Sequence, residues 1–259
     1  MIPRVIPVLL LADGGLVKTV RFRDERYVGD PINAVRIFND KQVDELVLLD
    51  IRATAEGRLP DEAAIEEIAS EAFMPVAYGG GVREVETANR LIQLGVEKVV
   101  VNAAAVEAPV EVAAIADRLG SSTLVVAIDA VARGPGAWEV VTRSATRRTG
   151  LDVRAHAEAM ARLGAGELFV TAVDRDGTMD GYDLELIRTV ASAVDIPVIA
   201  CGGAGSLVDL ATVVREGGAA AAAAGSLFVF HGRHRAVLIT YPSYAARAEL
   251  FRTSGAAAG

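Results

Sequence analysis

Cysteine and histidine are scarce in this chain. Among its 259 residues there is one cysteine, Cys201, and there are three histidines, His156, His231 and His234. A single cysteine excludes an internal disulfide framework and is typical of a protein in a reducing compartment. The histidines show none of the spacings of metal ligands, so we expect no metal site, and nothing in the sequence indicates another cofactor.

Long apolar runs are absent as well. Although 52% of the residues are hydrophobic, no charge-free segment is long enough to span a bilayer. The start, Met1-Ile2-Pro3-Arg4, lacks the charged region and cleavage site of a signal peptide, and we expect a cytosolic protein. The net charge of −8 argues against nucleic acid as the main partner. It does not exclude small phosphates, which respond to local N–H groups.

A repeat with a fixed offset organises the sequence. The apolar run and the glycines of residues 197–203 repeat those of residues 75–81, at an offset of 197 − 75 = 122 residues. Asp61 and Asp183 keep the same offset, as do several further pairs. A repeat held in one register over this span predicts a tandem duplication.

Short apolar strands alternate with amphipathic helical stretches along the whole chain. Because a single strand–helix unit cannot bury its own sheet, this alternation predicts one domain. The expected fold class is α/β, a single (βα)8 TIM barrel made of half-barrels at about 1–122 and 123–251, with a disordered tail at 252–259. A doubly wound open sheet is the alternative, but a two-fold repeat closes more easily.

The predicted strands are Val5–Leu11, Glu45–Asp50, Pro75–Tyr78, Lys98–Asn102, Leu124–Asp129, Glu167–Val173, Pro197–Cys201 and Ala219–Gly225. The predicted helices lie near 31–40, 61–72, 84–94, 108–119, 152–163, 183–194, 206–216 and 232–250.

Two loops are longer than a minimal barrel needs. Residues 133–137 turn between two apolar runs and predict a hairpin after the fifth strand. The loop at residues 174–181 is too long and too polar for a simple turn. The basic residues after the hairpin turn either form a solvated loop or contact a phosphate or a partner; they are Arg143, Arg147 and Arg148.

Glycines stand at the ends of three of the predicted strands, where a (βα)8 barrel builds its active site. Gly202-Gly203 and Gly225-Ser226 follow strands seven and eight, the usual place for a phosphate in this fold. The repeat-related loops, Gly79-Gly80-Gly81 and Asn102-Ala103, predict a second and weaker site, because Ala103 supplies no hydroxyl. Two such sites imply a substrate with a phosphate at each end. The alternative is that these glycines only permit tight turns.

One carboxylate ends a buried strand. Asp129 follows the apolar run 125–128, and such a carboxylate is costly unless it is used or paired, so Asp129 is the candidate acid or base. Its repeat-related position is Leu10. A reaction that needs one acid and one base would require a carboxylate in both halves, and a leucine cannot transfer a proton.

Four charged residues stand where strands begin, at the N-terminal rim of the predicted barrel. Two cations and two anions can close a ring of ion pairs around the barrel axis. The ordinary meaning of polar residues at this rim is a layer that stabilises the fold, and the sequence leaves both interpretations open. The four residues are Arg4, Glu45, Lys98 and Glu167.

A series of short motifs extends from Arg4 to about Phe230. They include Asp13-Gly14, Gly29-Asp30-Pro31, Leu49-Asp50-Ile51, Tyr78-Gly79-Gly80-Gly81, Asn102-Ala103-Ala104-Ala105, Val126-Ala127-Ile128-Asp129, Asp174-Arg175-Asp176-Gly177-Thr178 and Gly202-Gly203-Ala204-Gly205. With these motifs nearly the whole chain resembles the cyclase subunit family of imidazole glycerol phosphate synthase.

The resemblance implies a (βα)8 barrel that binds a glutaminase subunit at its N-terminal face. Ammonia then passes through the barrel, past a salt-bridged gate formed by the four rim residues, to a bisphosphate at the other end. The family works with two aspartates, of which Asp129 matches one and Leu10 replaces the other. The resemblance further places Asp176 and Gly177 among the phosphate-binding residues, and in the substrate site Lys18, Asp50 and Thr171.

The segment 225–243 is more similar to a divergent branch of that family, associated with surface-sugar biosynthesis. In that branch the barrel and its glutaminase feed ammonia to a third protein that amidates or amidinates a nucleotide-linked sugar. We therefore expect an ammonia-conducting subunit, with a glutaminase and a sugar amidotransferase as partners and a phosphorylated small molecule as ligand. The alternatives are an active cyclase in which Asp50 or Asp176 covers for Leu10, a phosphosugar isomerase and a non-catalytic scaffold.

Overall fold

Eight parallel strands close into one barrel in the computed structural model, which describes residues 2–252. Each barrel strand pairs with the next, and the eighth pairs with the first, from Arg4↔Ala221 to Pro7↔Ala224. The predicted (βα)8 fold is confirmed. The barrel strands, numbered one to eight below, are Arg4–Ala12, Leu46–Asp50, Val76–Gly79, Lys98–Val101, Leu124–Gly134, Glu167–Ala172, Val198–Cys201 and Ala221–Ala224.

Aspartates begin four of the outer helices. Each accepts a hydrogen bond from the backbone N–H three residues further on, which satisfies one of the free donors of the first turn. Asp30 and Asp152, like Asp61 and Asp183, are 122 residues apart, so both halves begin these helices in the same way; the duplication itself stays a prediction. The helices are Pro31–Asp40, Ala53–Glu56, Glu62–Glu71, Val85–Gln93, Ala103–Glu107, Val110–Leu119, Val153–Arg162, Leu184–Ala191, Leu207–Arg215, Ser226–Val229 and Tyr244–Arg252.

Apolar side chains fill both sides of the barrel wall. Along strand one, Val5 and Leu9 belong to the outer core beneath the helices, whereas Ile6 and Val8 belong to the inner cluster. This is the alternation of a strand whose two faces are both buried. The barrel is therefore packed inside, and polar groups gather at its two ends. Within residues 2–252, no helix combines the length and the apolar character needed to cross a membrane.

The helix predicted near 232–250 is wrong over its first half. Phe230–His231 and Ala236–Val237 pair as a small antiparallel hairpin, and helix starts only at Tyr244. Gly232 has a φ of 70°, which turns the chain back where a helix would have continued. The helix ends at Arg252, and the rest of the predicted disordered tail lies outside the described residues.

A hairpin that the sequence analysis did not predict follows strand one. Its strands are Gly15–Val20 and Arg23–Gly29, and the first of them pairs back onto strand one through Leu10↔Val17 and Ala12↔Gly15. The two connecting residues, Asp13 and Gly14, have φ values of 51° and 75°. An Asp-Gly pair between apolar runs is a strong hairpin signal, so the sequence did contain the information.

The hairpin predicted after strand five is confirmed. Strand five continues to Gly134 and pairs with Ala137–Thr142, and a third strand, Arg147–Asp152, extends the sheet. Both hairpins leave the barrel at the carboxyl ends of their strands. They therefore stand over the same end of the barrel.

The polar loop 174–181 packs against the first hairpin. The backbone N–H of Arg21 donates to the carbonyl oxygen of Asp176 at 2.8 Å, and the Arg21 Nε donates to that of Asp174 at 3.0 Å. Gly177 lies against Thr19 and Val20, with no space for a side chain. The close approach of two backbones explains a glycine at this position.

We expect Gly177→Ala to destabilise the protein more than Gly14→Ala. The two glycines have φ values of 71° and 75°, so an alanine incurs the same left-handed strain of about 1 kcal/mol at both. At Gly177 the new methyl would also lie 3.0 Å from the Cα of Val20, whereas Gly14 has open space. Overpacking of this kind costs about 1–3 kcal/mol more. Urea unfolding measures both variants, and equal losses would contradict tight docking of loop 174–181.

Candidate functional site

A cavity of about 140 Å³ opens at the carboxyl ends of the barrel strands, and both hairpins contribute to its wall. It contains most of the residues proposed from the sequence. Three of the predicted phosphate-binding glycines, Gly177, Gly202 and Gly203, do not line it. Those that do are Leu10, Lys18, Asp50, Gly80, Gly81, Asn102, Asp129, Thr171, Asp176, Gly225 and Ser226.

Asp129 lies in the interior of the barrel mouth, where strand five passes between strands four and six. The Asn102 Nδ2 donates to its Oδ2 at 3.2 Å, and Thr171 lies beside it on strand six and also hydrogen-bonds to it. Burial and the nearby charge of Asp176 raise the pKa of Asp129 to about 7, against the effect of these two hydrogen bonds. The carboxyl group is therefore poised to gain or lose a proton near neutral pH.

Lys18 reaches the same space from the first hairpin. Its ammonium donates a hydrogen bond to the backbone carbonyl of Val8, and complete burial lowers its pKa to about 8, opposed mainly by the charge of Asp176. Asp176 is itself buried, which raises its pKa, while Lys18 and a 3.3 Å hydrogen bond from the Thr19 hydroxyl act against this. The cavity thus holds two carboxyl groups and one amine that depend on one another for their charge.

Leu10, which the sequence analysis matched to Asp129, lies on strand one at the cavity wall. It pairs with Leu49 on strand two and with Val17 on the hairpin, and it packs against the inner apolar cluster. Its side chain lines the cavity but offers no donor or acceptor. Asp129 consequently has no acidic counterpart on strand one.

Asp50 ends strand two at the cavity wall, but its oxygens are already occupied. Its Oδ1 accepts from the backbone N–H groups of Arg52 and Ala53, both at 2.9 Å, and its Oδ2 accepts from Arg58 at 3.3 Å. These bonds hold the short helix that follows strand two. The geometry favours a structural role for this carboxylate over proton transfer.

The glycine loops differ in what they present to the cavity. Gly80 and Gly81 have φ values of 121° and 73° and line it, yet the Gly81 N–H already donates to the Thr54 hydroxyl at 3.2 Å. Gly203 instead packs against loop 174–181, and its carbonyl accepts from Gly181 N–H at 2.8 Å. Phosphate binding by the predicted residues stays a prediction.

Gly225 explains how the Lys18 ammonium fits into the cavity wall. A Cβ at this position would collide with the Lys18 side chain, its Cε being 3.2 Å away. Glycine leaves space here for the close approach of the lysine, and Ser226 begins the next short helix at the cavity edge. A buried cation beside the loop after strand eight is suited to an anionic ligand.

Several cavity residues were not assigned from the sequence. Thr19 and Phe22 come from the unpredicted hairpin, whereas Thr54, Ser144 and Cys201 lie after strand two, on the second hairpin and at the end of strand seven. Only the Asp-Gly turn could have pointed to the first pair. Burial raises the pKa of the Cys201 thiol, which keeps it protonated and unreactive. Among the described residues there is no cluster of metal-ligating side chains.

The four charged residues of the N-terminal rim meet at the opposite end of the barrel. Arg4 donates to Glu45 and to Glu167, both at 2.5 Å. The Lys98 Nζ lies 3.3 Å from the Oε1 of Glu45 and 2.9 Å from the Oε2 of Glu167. Each cation contacts both anions, so the side chains form a closed ring across the barrel axis, called the rim ring below. Its role as a gate stays a prediction.

Comparisons with known proteins show the family of this chain. Residues 4–235 match the family model described as "Histidine biosynthesis protein". A protein of Leptospira borgpetersenii, named provisionally as imidazole glycerol phosphate synthase subunit HisF, is 47% identical over 96% of this chain and 98% of its own. A Pseudomonas aeruginosa protein named in the same way as subunit hisF2 is 50% identical over 92% of this chain and 95% of its own. A Vibrio vulnificus protein, provisionally hisF3, is 46% identical over 93% of each chain. The chain therefore belongs to the histidine biosynthesis protein family, among relatives of the imidazole glycerol phosphate synthase subunit HisF.

Proposed function

We propose that this protein conducts ammonia from a glutaminase bound at its N-terminal face, through the barrel, to the cavity at the other end. In this role it is the synthase subunit of a complex that amidates or amidinates a nucleotide-linked surface sugar. The rim ring is the observation that carries the proposal. Three of its residues begin strands one, four and six, and Glu45 immediately precedes strand two. The four meet on the axis, where a molecule entering from below must pass.

The burial of the rim ring supports a function beyond stability. The Glu45 side chain is 3% exposed, that of Glu167 13% and that of Lys98 18%. Ion pairs taken out of water are no more stabilising than well-packed apolar residues, because desolvation offsets their attraction. Apolar residues would stabilise this rim equally well, whereas a ring of charged side chains can open and close around a small polar molecule.

The inner cluster above the rim ring suits neutral ammonia. Its side chains are apolar, and several are small, including Ala77, Ala127, Ala221 and Ala223. An ammonium ion would lose its hydration there at high cost, whereas neutral ammonia loses little. Ammonia carried along this path would stay unprotonated and would not mix with ammonium in bulk water.

Leu10 supports the sugar-amidation role over cyclisation in this cavity. Ring closure with ammonia needs groups that both donate and accept protons, and Asp129 has no carboxylate facing it from strand one. A barrel retained for its ammonia supply would keep the rim ring and could lose the cavity chemistry. A sugar amidotransferase would then receive the ammonia at the open end.

The second candidate is an active cyclase that makes imidazole glycerol phosphate. It is favoured by one observation, the placement of Asp176 close enough to both Asp129 and Lys18 to change their protonation. With a pKa of about 8, Lys18 could exchange a proton near neutral pH in place of the missing aspartate.

Cyclase activity with saturating ammonium separates the two candidates, because free ammonium replaces the glutaminase. We expect the unaltered protein to turn over the bisphosphate precursor at least about 100-fold more slowly than Leu10→Asp, the usual effect of one acid or base. Product formation is followed by absorbance. Robust turnover by the unaltered protein would overturn the sugar-amidation role, and Leu11→Asp, one position along strand one, serves as the control.

A break in the rim ring should uncouple glutamine hydrolysis from ammonia delivery. In the complex with its glutaminase, we expect Glu167→Gln to release into bulk solvent at least about twice as much ammonia per glutamate formed, because both cations lose one of their two anionic partners. Coupled assays of glutamate and free ammonia measure this ratio. Glu158→Gln removes an equal charge from an outer helix, where its partner is Arg154, and should leave the ratio unchanged. An unchanged ratio in Glu167→Gln would contradict the gate.

The raised pKa of Asp129 predicts a pH-dependent gain in stability for Asp129→Asn. The unfolded chain ionises this carboxyl near pH 4 and the folded protein near pH 7, so the unaltered protein loses stability as the pH rises between them. Asparagine does not ionise. The advantage of the variant in urea unfolding should therefore be larger by about 2 kcal/mol at pH 8 than at pH 5. An equal difference at both pH values would show that Asp129 is ionised throughout.

A further inference from the structure

We propose that Arg143 binds one anionic group of the ligand at the side of the cavity formed by Gly80, Gly81 and Ala103. This inference deepens the proposed function, since it names the residue that recognises one end of a doubly anionic ligand. It also assigns a role to one of the basic residues that follow the second hairpin.

The second hairpin brings Arg143 to the cavity and holds it there. The Ser144 hydroxyl donates to the carbonyl oxygen of Ile51 at 2.8 Å, and the Arg143 Nη1 donates to that of Thr54 at 3.3 Å. Both carbonyls belong to the segment after strand two. Arg143 and Ser144 line the cavity together with Thr54 and the two glycines after strand three. The guanidinium is therefore part of the cavity wall, and its side chain is 34% exposed.

Arg143 has hydrogen-bond donors left for a ligand. A guanidinium carries five N–H groups. In the described structure, Nε and Nη2 each donate one to Glu107 at 3.0 Å, and Nη1 donates one to Thr54. Two N–H groups remain, one on Nη1 and one on Nη2. A pair of this kind can bind two oxygens of a phosphate at once.

Glu107 neutralises the charge of Arg143 only in part, because it also pairs with Arg147. The same carboxylate accepts from Arg147 at 2.8 Å, so one negative charge is shared between two guanidinium groups. Asp50, the other carboxylate of this wall, is bound by backbone N–H groups and by Arg58. An incoming anion at Arg143 therefore meets a cation whose charge is only partly balanced.

The glycine loops on this side supply few donors of their own. Ala103 has no hydroxyl, and the Gly81 N–H is engaged by Thr54. Arg143 provides the hydrogen-bond donors that these loops lack. The anionic group it fits is a phosphate monoester, because a dianion with three oxygens uses both free N–H groups. A ligand that extends across the cavity would place its second anionic group near Lys18 and Gly225-Ser226.

Titration with inorganic phosphate, followed by calorimetry, tests this assignment on the full chain. We expect the unaltered protein to bind two phosphates. Arg143→Gln should weaken one of the two sites by about 10-fold or more, as expected for the loss of a charge-assisted bidentate contact. Arg148→Gln is the matched control: it removes the same charge from the same hairpin, but its partner is Glu139 rather than Glu107 and it does not line the cavity. It should change the binding less than about 2-fold.

Equal weakening by the two glutamine variants would show an effect of net charge alone and would overturn the assignment. Unchanged binding in Arg143→Gln, or a protein that binds no phosphate, would overturn it too. Arg143→Lys tests whether misfolding explains a loss of binding. It keeps the positive charge but not the paired N–H donors of the guanidinium, so it should bind phosphate with intermediate affinity. Ammonia delivery through the rim ring is measured separately, so its failure is distinguishable from failure of this site.

Discussion

The closure of eight parallel strands decides where this protein can place its polar groups. A parallel sheet with both faces covered leaves only the two ends of its strands open to charge. At one end Arg4, Glu45, Lys98 and Glu167 form the rim ring, and at the other end Asp129 and Asp176 meet Lys18. Between them the interior is apolar. The two polar ends therefore differ in chemistry and lie on one barrel axis, which is the arrangement that the proposed conduction of ammonia requires.

The cavity end depends on mutual compensation among its buried groups. Burial favours the neutral forms of Asp129, Asp176 and Lys18, and it is the largest cause of the pKa shift in each of them. Lys18 and Asp176 act against this for each other, whereas Asp129 is repelled by Asp176. Protonation of Asp176 thus changes the pKa of both Asp129 and Lys18, and through Asp176 the three form one electrostatic unit. Leucine at position 10 keeps a fourth charge out of this unit.

The sequence predicted the barrel and the positions of most cavity residues, because the strand–helix alternation and the strand ends are local patterns. It did not predict the hairpin after strand one, although Asp13-Gly14 marked its turn. The helix predicted near 232–250 was wrong over its first half, because the prediction relied on apolar periodicity and gave too little weight to the turn at Gly232. Gly202 and Gly203 were assigned to a phosphate, yet they pack closely against backbone of neighbouring segments. Close backbone contact and an open cradle both require glycine, and a sequence pattern cannot separate the two.

Among the described residues, the one amine that lines the cavity comes from a segment that is not part of the barrel. Lys18 lies on Gly15–Val20, the first strand of the hairpin that follows strand one and folds back over the barrel mouth. The strands can close without it, since strand one pairs with strands two and eight directly. The scaffold and the chemical group are thus encoded in separable stretches of chain. Evolution could exchange the hairpin, and with it the charge of the cavity, while the eight-stranded framework stayed as it is.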